Sequence, residues 1–195
     1  MVGKVAGLDE AGRGALAGPL VAALVICESC PLVVKDSKLL SSKQRNHVYQ
    51  WLSKNNIFFK TEIISARQIN NRGIGWANKE VFRRLIKITP ADNYIVDGLL
   101  KIKKAESIVN ADATILPVIL AGIVAKVTRD KIMTEFNNDP KFRKYCWHKN
   151  KGYGTKDHLE LIIKHGMCRY HRTVFCTTAV KRYNHGGGYG GATAD

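Results

Sequence analysis

The sequence predicts an α/β domain in which a sheet is layered with helices. Strand-length runs of apolar and β-branched residues alternate along the chain with amphipathic segments of helical period. The chain has 195 residues, of which 45% are hydrophobic, and this is enough to fill the core of one compact domain. The alternation does not by itself choose among the several common folds of this class.

The first half of the chain begins with two predicted strands, Val5–Leu8 and Leu20–Ile26. A tight, glycine-rich connection lies between them, which predicts a hairpin. A helix beginning at Ser41 or Ser42 and ending near Lys54 follows, and residues 57–64 then form a third strand.

A capping-box spacing predicts the next helical turn. Ser65 and Gln68 stand three residues apart, and Gly73 and Gly75 break this turn before a second helix that ends near Ile86. The remaining predicted elements are strands at Tyr94–Asp97 and Ser107–Val109 and helices at Ile119–Glu135 and Thr155–His165. On the predicted helix Ile119–Glu135, three basic side chains are expected at the surface: Lys126, Arg129 and Lys131. The glycine-rich residues 186–195 predict a flexible tail, which leaves 1–185 as a single domain.

The chain is strongly basic, with 31 Lys and Arg against 16 Asp and Glu, a net charge of +15. This charge predicts a polyanionic partner, either nucleic acid or an acidic membrane surface. No apolar run approaches the roughly 20 residues that span a bilayer, and no secretory signal pattern is present, so we expect a cytoplasmic protein. The five scattered cysteines indicate reduced, structural thiols.

Acidic residues stand at or just beyond the ends of the predicted strands, although the chain is poor in acid. They are Asp9, Glu10, Asp97 and Asp112. Because a buried carboxylate is costly without a cation, they predict a shared divalent metal, Mg²⁺ or Mn²⁺. Alternatively, Asp97 begins a turn and Asp112 caps a helix. Neighbouring strand residues point to opposite faces, so Asp9 and Glu10 share a site only if the strand bends or ends there.

Two glycine-containing motifs are candidates for substrate binding. Gly12-Arg13-Gly14 follows the acid pair directly, and its backbone N–H groups can donate to phosphate or hydroxyl oxygens. A plain glycine turn is the alternative. Tyr153 lies between two glycines at a helix start, where it stacks on a sugar or base, or else packs beneath a capped helix.

Basic residues near the start of the first helix offer cations for phosphates. Lys38, Lys43 and Arg45 form this run, although a solvated basic helix start is also typical of such a pattern. His171 and Arg172 extend the positive surface or serve only solubility.

Taken together, these motifs resemble those of the ribonuclease HII family. The opening segment 7–14 with Gly18-Pro19 is similar to the first motif of that family. Further blocks follow in the family's order between about Lys4 and Phe175: Asp36–Leu39, Gly73–Gly75 with Ala77, Asp97-Gly98, Ala111-Asp112, Ala125–Asp130, Lys151–Thr155 and His171-Arg172.

The resemblance implies a ribonuclease H-like fold, with a central mixed β-sheet flanked by helices and a C-terminal helical portion. It implies an endonuclease that hydrolyses the RNA strand of RNA–DNA hybrids and cleaves 5′ of ribonucleotides embedded in duplex DNA. Two Mg²⁺ or Mn²⁺ ions would act in the displacement and leave 5′-phosphate and 3′-hydroxyl ends. We expect a monomer that binds no membrane.

The resemblance also assigns roles to single residues. The catalytic and metal-binding residues would be Asp9, Glu10, Asp97 and Asp112. The residues that sense the ribose 2′-hydroxyl would be Gly12, Arg13, Gly14 and Tyr153. The residues that hold the duplex backbone would be Lys38, Lys43, Arg45 and Lys126.

The chain departs from the family pattern at two positions. Gly122 stands where a serine is common, and Asn150 stands where a histidine often precedes Lys-Gly-Tyr, but neither belongs to the acid set. The sister type, ribonuclease HIII, typically has Ser and Lys in place of Ala11 and Arg13 and an extra N-terminal domain, which we do not expect here. A basic binding module on the same fold that has lost cutting activity is the alternative function.

Overall fold

The computed structural model describes residues 4–32 and 40–185 of the chain. Its strands are β1 (Val5–Ala11), β2 (Leu20–Ile26), β3 (Phe58–Ile64), β4 (Asn93–Asp97) and β5 (Glu106–Ile108). They form one sheet in the order β3-β2-β1-β4-β5. The predicted tail, 186–195, and Lys38 lie outside the described residues.

The sheet is mixed, because β1 has an antiparallel neighbour on one side and a parallel neighbour on the other. β2 pairs antiparallel with both β1 and β3, whereas β4 pairs parallel with β1 and β5. The opening pair of strands is therefore confirmed, but the connection over residues 12–19 is an open loop rather than a tight turn. The predicted mixed sheet flanked by helices is confirmed.

Eight α-helices lie within the described residues. They are α1 (Ser42–Lys54), α2 (Ala66–Arg72), α3 (Ile74–Ile88), α4 (Ala111–Thr114), α5 (Leu116–Asn138), α6 (Trp147–Asn150), α7 (Lys156–His165) and α8 (Thr173–Asn184), with a 3-10 turn at Arg143–Tyr145. Ser65 closes the predicted capping box with Gln68, and Gly166 ends α7. The prediction that Gly75 breaks a helix was wrong. Gly73, at φ +81°, already separates α2 from α3, so helical geometry resumes before Gly75.

The sheet is buried on both faces. On one face, the even-numbered residues of β1 and β2 pack against α2 and α3, where Ala77, Val81, Phe82 and Leu85 form the inner side of α3. On the other face, odd-numbered strand residues pack against α1 and α5. α5 packs against both the sheet and α1, and its residues 117–125 are all buried.

The C-terminal helices pack against the loop that follows β1. Leu16 contacts α7 and α8 through Leu159, Ile162 and Cys176, while Ala17 packs in an aromatic cluster with Trp147. The predicted C-terminal helical portion is therefore joined to the β1–β2 loop. The five cysteines are free thiols, as expected. Within the described ranges, no helix has both the length and the apolar character needed to cross a membrane.

Gly7 marks the closest approach of the sheet to α5. A Cβ atom at Gly7 would stand 2.2 Å from the carbonyl carbon of Pro117 and 2.3 Å from the amide nitrogen of Val118. We expect Gly7→Ala to lower the free energy of unfolding by about 3 kcal/mol, because backbone cannot move aside as a flexible side chain can. Urea denaturation measures this loss.

Gly75→Ala is the matched control, since a Cβ there meets nothing within 4 Å. It should stabilise α3 by up to about 1 kcal/mol. Equal unfolding free energies for the two variants would contradict the close approach at Gly7.

Candidate active site

Asp9 and Glu10 lie where β1 extends beyond its parallel neighbour. β1 pairs with β4 only as far as Leu8 and Val96, whereas its ladder with β2 continues to Ala11. The strand therefore does not end at the acid pair, and as neighbours in a strand the two side chains leave opposite faces. Both carboxylates nevertheless interact with the charge of Asp97, because that edge of β1 is open beyond Leu8.

Asp97 and Asp112 complete the acidic group from the next two elements. Asp97 is the last residue of β4, and Gly98 follows it at φ +95°. Asp112 lies in the first turn of α4, is 4% exposed, and its backbone N–H donates to Asp97 Oδ1 at 3.4 Å. The cap residue of α4 is Asn110, so the alternative in which Asp112 caps a helix is wrong.

Electrostatic repulsion couples these carboxylates. Burial is the main cause that raises the pKa of Asp9 well above its usual value, and the charge of Glu10 adds to it, followed by Asp97 and Asp112. The Glu10 backbone N–H, which donates to Asp9 Oδ1 at 2.7 Å, acts in the opposite direction. Asp9 thus interacts with the charges of all three other acids.

Glu10 is held by two donors on its own side of the sheet. Burial raises the pKa of Glu10, while the Arg13 guanidinium, 3.4 Å away, and the side-chain amide of Asn78 oppose the increase. Asn78 is 4% exposed, and its Oδ1 has no hydrogen-bond partner within the described residues. Sequence reasoning missed Asn78, although a polar residue on the apolar face formed by Ala77, Val81 and Leu85 is the signal that would have found it.

The donor set fits a hard divalent cation in its chemistry. It offers carboxylate oxygens that are buried and mutually repelled, and the free Asn78 Oδ1 is a further oxygen beside Glu10. Within residues 4–32 and 40–185, however, no three Asp, Glu, His or Cys side chains are arranged closely enough to hold a metal ion together. The repulsion that raises the pKa of Asp9 also opposes a closer approach of these oxygens.

The Gly12-Arg13-Gly14 segment forms the rim beside the acids. Gly12 has φ +93° and stands so close to Arg129 that a Cβ would lie 2.1 Å from Nε. Gly14 is exposed, and a Cβ there would meet nothing within 4 Å. Arg13 is exposed and paired with Glu10. The Arg129 side chain therefore fills the space where a Gly12 side chain would lie, whereas the corresponding space at Gly14 is open.

Tyr153 packs against cationic groups. It is 9% exposed, with Lys126 Nζ 5.0 Å and Arg129 Cζ 4.8 Å from the ring centroid. Thr155 caps α7 by accepting from the His158 N–H. The alternative of a packed tyrosine beneath a capped helix therefore describes this segment, and only a small part of Tyr153 is open to a ligand.

The basic candidates are not equivalent. Lys43 is exposed on α1, whereas Lys126 is partly buried and pairs with Asp130 at 3.1 Å. Arg45 is only 3% exposed and donates to the Leu40 carbonyl. This burial leaves Arg45 no surface with which to hold a duplex, because its guanidinium is directed back at the start of α1.

Three residues expected at the surface are buried instead. Arg129 and Arg172 are 0% exposed and His171 is 1% exposed. Burial lowers the pKa of Arg129, and burial together with the charge of Arg129 lowers the pKa of Arg172 to about 9, so both guanidinium groups remain charged at neutral pH. The surface assignment was wrong because local sequence shows neither what covers a helix face, as for Arg129, nor what packs over a connecting segment, as for His171 and Arg172.

A neutral histidine pair supports the Tyr153 segment. Burial lowers the pKa of His158 to about 4, and burial with the neighbouring His158 lowers the pKa of His171 to about 3. His158 Nδ1–H donates to the Tyr153 carbonyl at 2.8 Å, because a carbonyl can only accept. His158 Nε2 then accepts from Trp147 Nε1–H and from His171 Nε2–H.

Comparison with known proteins finds a family model, relatives and solved structures that match this chain. The family model described as Ribonuclease HII matches residues 6–178. A relative named Ribonuclease HII from Rickettsia conorii is 42% identical over 177 residues, which span 88% of this chain and 90% of the relative.

Two solved structures share the fold. The ribonuclease HII in a complex with PCNA from Archaeoglobus fulgidus has a TM-score of 0.68 and 24% identity, and the match covers 87% of this chain and 93% of that chain. Bst-RNase HIII in complex with Mn²⁺ has a TM-score of 0.67 and 16% identity, covering 95% of this chain and 70% of that chain.

The likeness to these structures identifies the architecture as that of ribonucleases H2 and H3. The family match covers the strands that carry the acids, the glycine segment and the buried arginines alike. The chain belongs to the ribonuclease HII family and is accordingly a hydrolytic endoribonuclease that acts on RNA–DNA hybrids.

Proposed function

We propose that this ribonuclease also incises duplex DNA 5′ of single embedded ribonucleotides, and that it does so with two divalent metal ions held by Asp9, Glu10, Asp97 and Asp112. The observation that carries the proposal is the charge coupling of Asp9 to the other three acids at the open end of β1. Carboxylates kept together at such a cost favour a cation as their partner.

Mg²⁺ or Mn²⁺ bound there would supply a Lewis acid that activates water and stabilises the departing 3′-oxygen. Oxygen-only ligands are the reason for choosing these ions. Asp97 and Asp112 would have to rotate toward Asp9 to share an ion, since the described side chains form no closed metal cage. Asn78 would keep Glu10 oriented during this movement through its amide.

Recognition of the ribose would fall to the segment beside the acids. The open space at Gly14 allows a sugar to approach the backbone closely, and N–H and C=O groups there can bond a 2′-hydroxyl. Tyr153 borders the same region through Lys126 and Arg129. The 2′-hydroxyl is the group that separates ribose from deoxyribose, so a contact to it supplies the discrimination.

The duplex backbone would be held by exposed cations, of which Arg13 and Lys43 are the candidates that the surface supports. The net charge of +15 favours such binding. Lys38 stays a prediction, as do the monomeric state and the single catalytic domain over 1–185.

The decisive experiment uses a labelled DNA duplex with one embedded ribonucleotide. With Mg²⁺, we expect a single incision 5′ of that ribonucleotide and ends carrying 5′-phosphate and 3′-hydroxyl. Asp9→Asn should lower the rate at least 100-fold while duplex affinity stays within about twofold, because one ligand charge is lost but no phosphate contact. Gel mobility of the products identifies their ends, single-turnover assays measure the rate, and a binding titration measures the duplex affinity. Hydrolysis of long hybrids without incision at the single ribonucleotide would sink the proposed substrate, and duplex binding without any hydrolysis would favour the binding module.

Asp9→Asn should also stabilise the metal-free protein. Because the pKa of Asp9 is raised, its ionisation costs folding free energy at neutral pH, where the carboxylate is charged in the unfolded chain. Removing that charge should raise the free energy of unfolding by about 1–2 kcal/mol at pH 7 in EDTA. Thermal unfolding with and without Mg²⁺ measures this, and Mg²⁺ should stabilise the wild type more than the variant. The same stabilisation by Mg²⁺ in both would contradict Asp9 as a ligand.

Tyr153→Phe and Tyr153→Ala test the ribose contact. We expect the alanine variant to lose about tenfold of the preference for the ribonucleotide-containing duplex over DNA alone, because a contact of about 1.4 kcal/mol is removed. The phenylalanine variant keeps the packing against Arg129 and reports the hydroxyl alone. Tyr49→Ala is the control, since Tyr49 also lies beneath a lysine, with Lys131 Nζ 4.2 Å from its ring centroid, but on α1. Binding titrations measure the preference, and equal losses on both duplexes would count against the role of Tyr153.

A further inference from the structure

Two buried arginines connect the segments assigned to ribose recognition. We define the glycine loop as residues 12–19 and the tyrosine loop as residues 151–155. Arg129 extends from α5 between these loops, and Arg172 stands at the start of α8 behind the glycine loop. Both side chains are fully buried.

The contacts of Arg129 join the two loops. Its Nε donates to the Pro19 carbonyl at 3.0 Å and its Nη2 donates to the Ala17 carbonyl at 2.9 Å, both in the glycine loop. Its Nη1 donates to the Lys151 carbonyl at 2.9 Å, in the tyrosine loop. One planar guanidinium therefore fixes the distance between the two loops.

The guanidinium of Arg172 bonds two carbonyls of the glycine loop. Its Nε donates to the Gly18 carbonyl at 3.1 Å and its Nη1 donates to the Arg13 carbonyl at 3.0 Å. Arg13 is the central residue of the Gly-Arg-Gly segment, so this bond acts directly on the backbone proposed to face the ribose. The backbone N–H of Arg172 adds a third bond to this loop, to the Leu16 carbonyl at 2.7 Å.

Backbone bonds and glycine contacts complete the junction of the loops. The N–H groups of Leu16 and Ala17 both donate to the Gly152 carbonyl, at 2.8 and 3.0 Å. Gly152 has φ +80°, and a Cβ there would stand 2.5 Å from the Ala17 carbonyl oxygen. The two loops thus touch through backbone, with Arg129 behind Gly12 and beneath Tyr153.

The arginines are not explained by ion pairing. Neither guanidinium has a carboxylate within salt-bridge distance among the residues that the structure describes, and Arg172 Nη2 has no hydrogen-bond partner there. Burying two like charges is costly, and in this loop geometry five carbonyl acceptors offset that cost. A displacement of either loop would move these carbonyls away from the guanidinium groups that they satisfy.

We propose that Arg129 and Arg172 are positioning residues that hold the glycine loop and the tyrosine loop as one rigid unit and thereby set the preference for ribose over deoxyribose. The inference rests on the proposed recognition of the 2′-hydroxyl by these loops. A displacement of about 1 Å in either loop would misplace the groups that face the ribose, with a loss of up to about 100-fold in their effect.

The test measures two dissociation constants in EDTA, one for a DNA duplex and one for the same duplex with a single ribonucleotide. Arg129→Lys and Arg172→Lys keep the charge but cannot reach all the carbonyls that the guanidinium groups bond. The preference is the dissociation constant for the DNA duplex divided by that for the duplex with the ribonucleotide. We expect each variant to lower this ratio about tenfold, as expected for loss of one or two charge-assisted hydrogen bonds. The dissociation constant for the DNA duplex itself should stay within about twofold of the wild-type value. Arg84→Lys is the control, because Arg84 on α3 pairs with Glu80 of the same helix and Glu62 of β3, away from both loops.

The outcomes separate the two proposals. A wild-type ratio of one would overturn the proposed ribose recognition and this inference with it. A wild-type ratio well above one that both lysine variants retain would overturn the inference alone. If the lysine variants do not fold, hydrogen exchange in the wild type decides: the amides of Leu16 and Ala17 should exchange as slowly as those of β1, and rapid exchange would overturn the rigid unit.

Discussion

The mutual repulsion of partly buried carboxylates around the end of β1 is the constraint on which the site depends. β1 must lie at the centre of the sheet to carry Asp9 and Glu10 into a partly buried place, yet that burial raises the pKa of both side chains. The strand can hold them there because its two ladders and its close packing on α5 at Gly7 fix the backbone independently of the charges. The stability of the rest of the fold offsets the free-energy cost of burying these charges close together.

A second electrostatic balance lies beside the first. Arg129 and Arg172 are buried against the glycine loop that follows the acid pair in the chain, and in the described part of the chain they bond backbone carbonyls rather than carboxylates. Within residues 4–32 and 40–185, these two arginines form no salt bridge with the four acids. Among the described residues, the exposed Arg13 pairs with Glu10, one of the four acids.

Sequence patterns predicted the elements whose own residues favour them. The capping box at Ser65, the alternating apolar strands β1 to β4 and the glycine stop at Gly166 were found in the structure. Helix α8 was not separately predicted, because residues 173–178 include Thr, Val and Phe, which favour strands. Packing of Cys176 and Ala179 against Leu16 overrides that local preference.

The sequence by itself determined the order of the five strands and of helices α1, α2, α3, α5 and α7, the family and the four acids as candidates, because apolar patterns and motif order are properties of neighbouring residues. Only the tertiary structure decided which charges are buried. The sequence alone suggests surface positions for four residues that are in fact buried: Arg45, Arg129, His171 and Arg172. Nothing in the neighbouring residues distinguishes a position that other segments cover from one that is open to solvent. Asn78 reaches Glu10 only after α3 packs on the sheet, because the contact joins residues 68 positions apart.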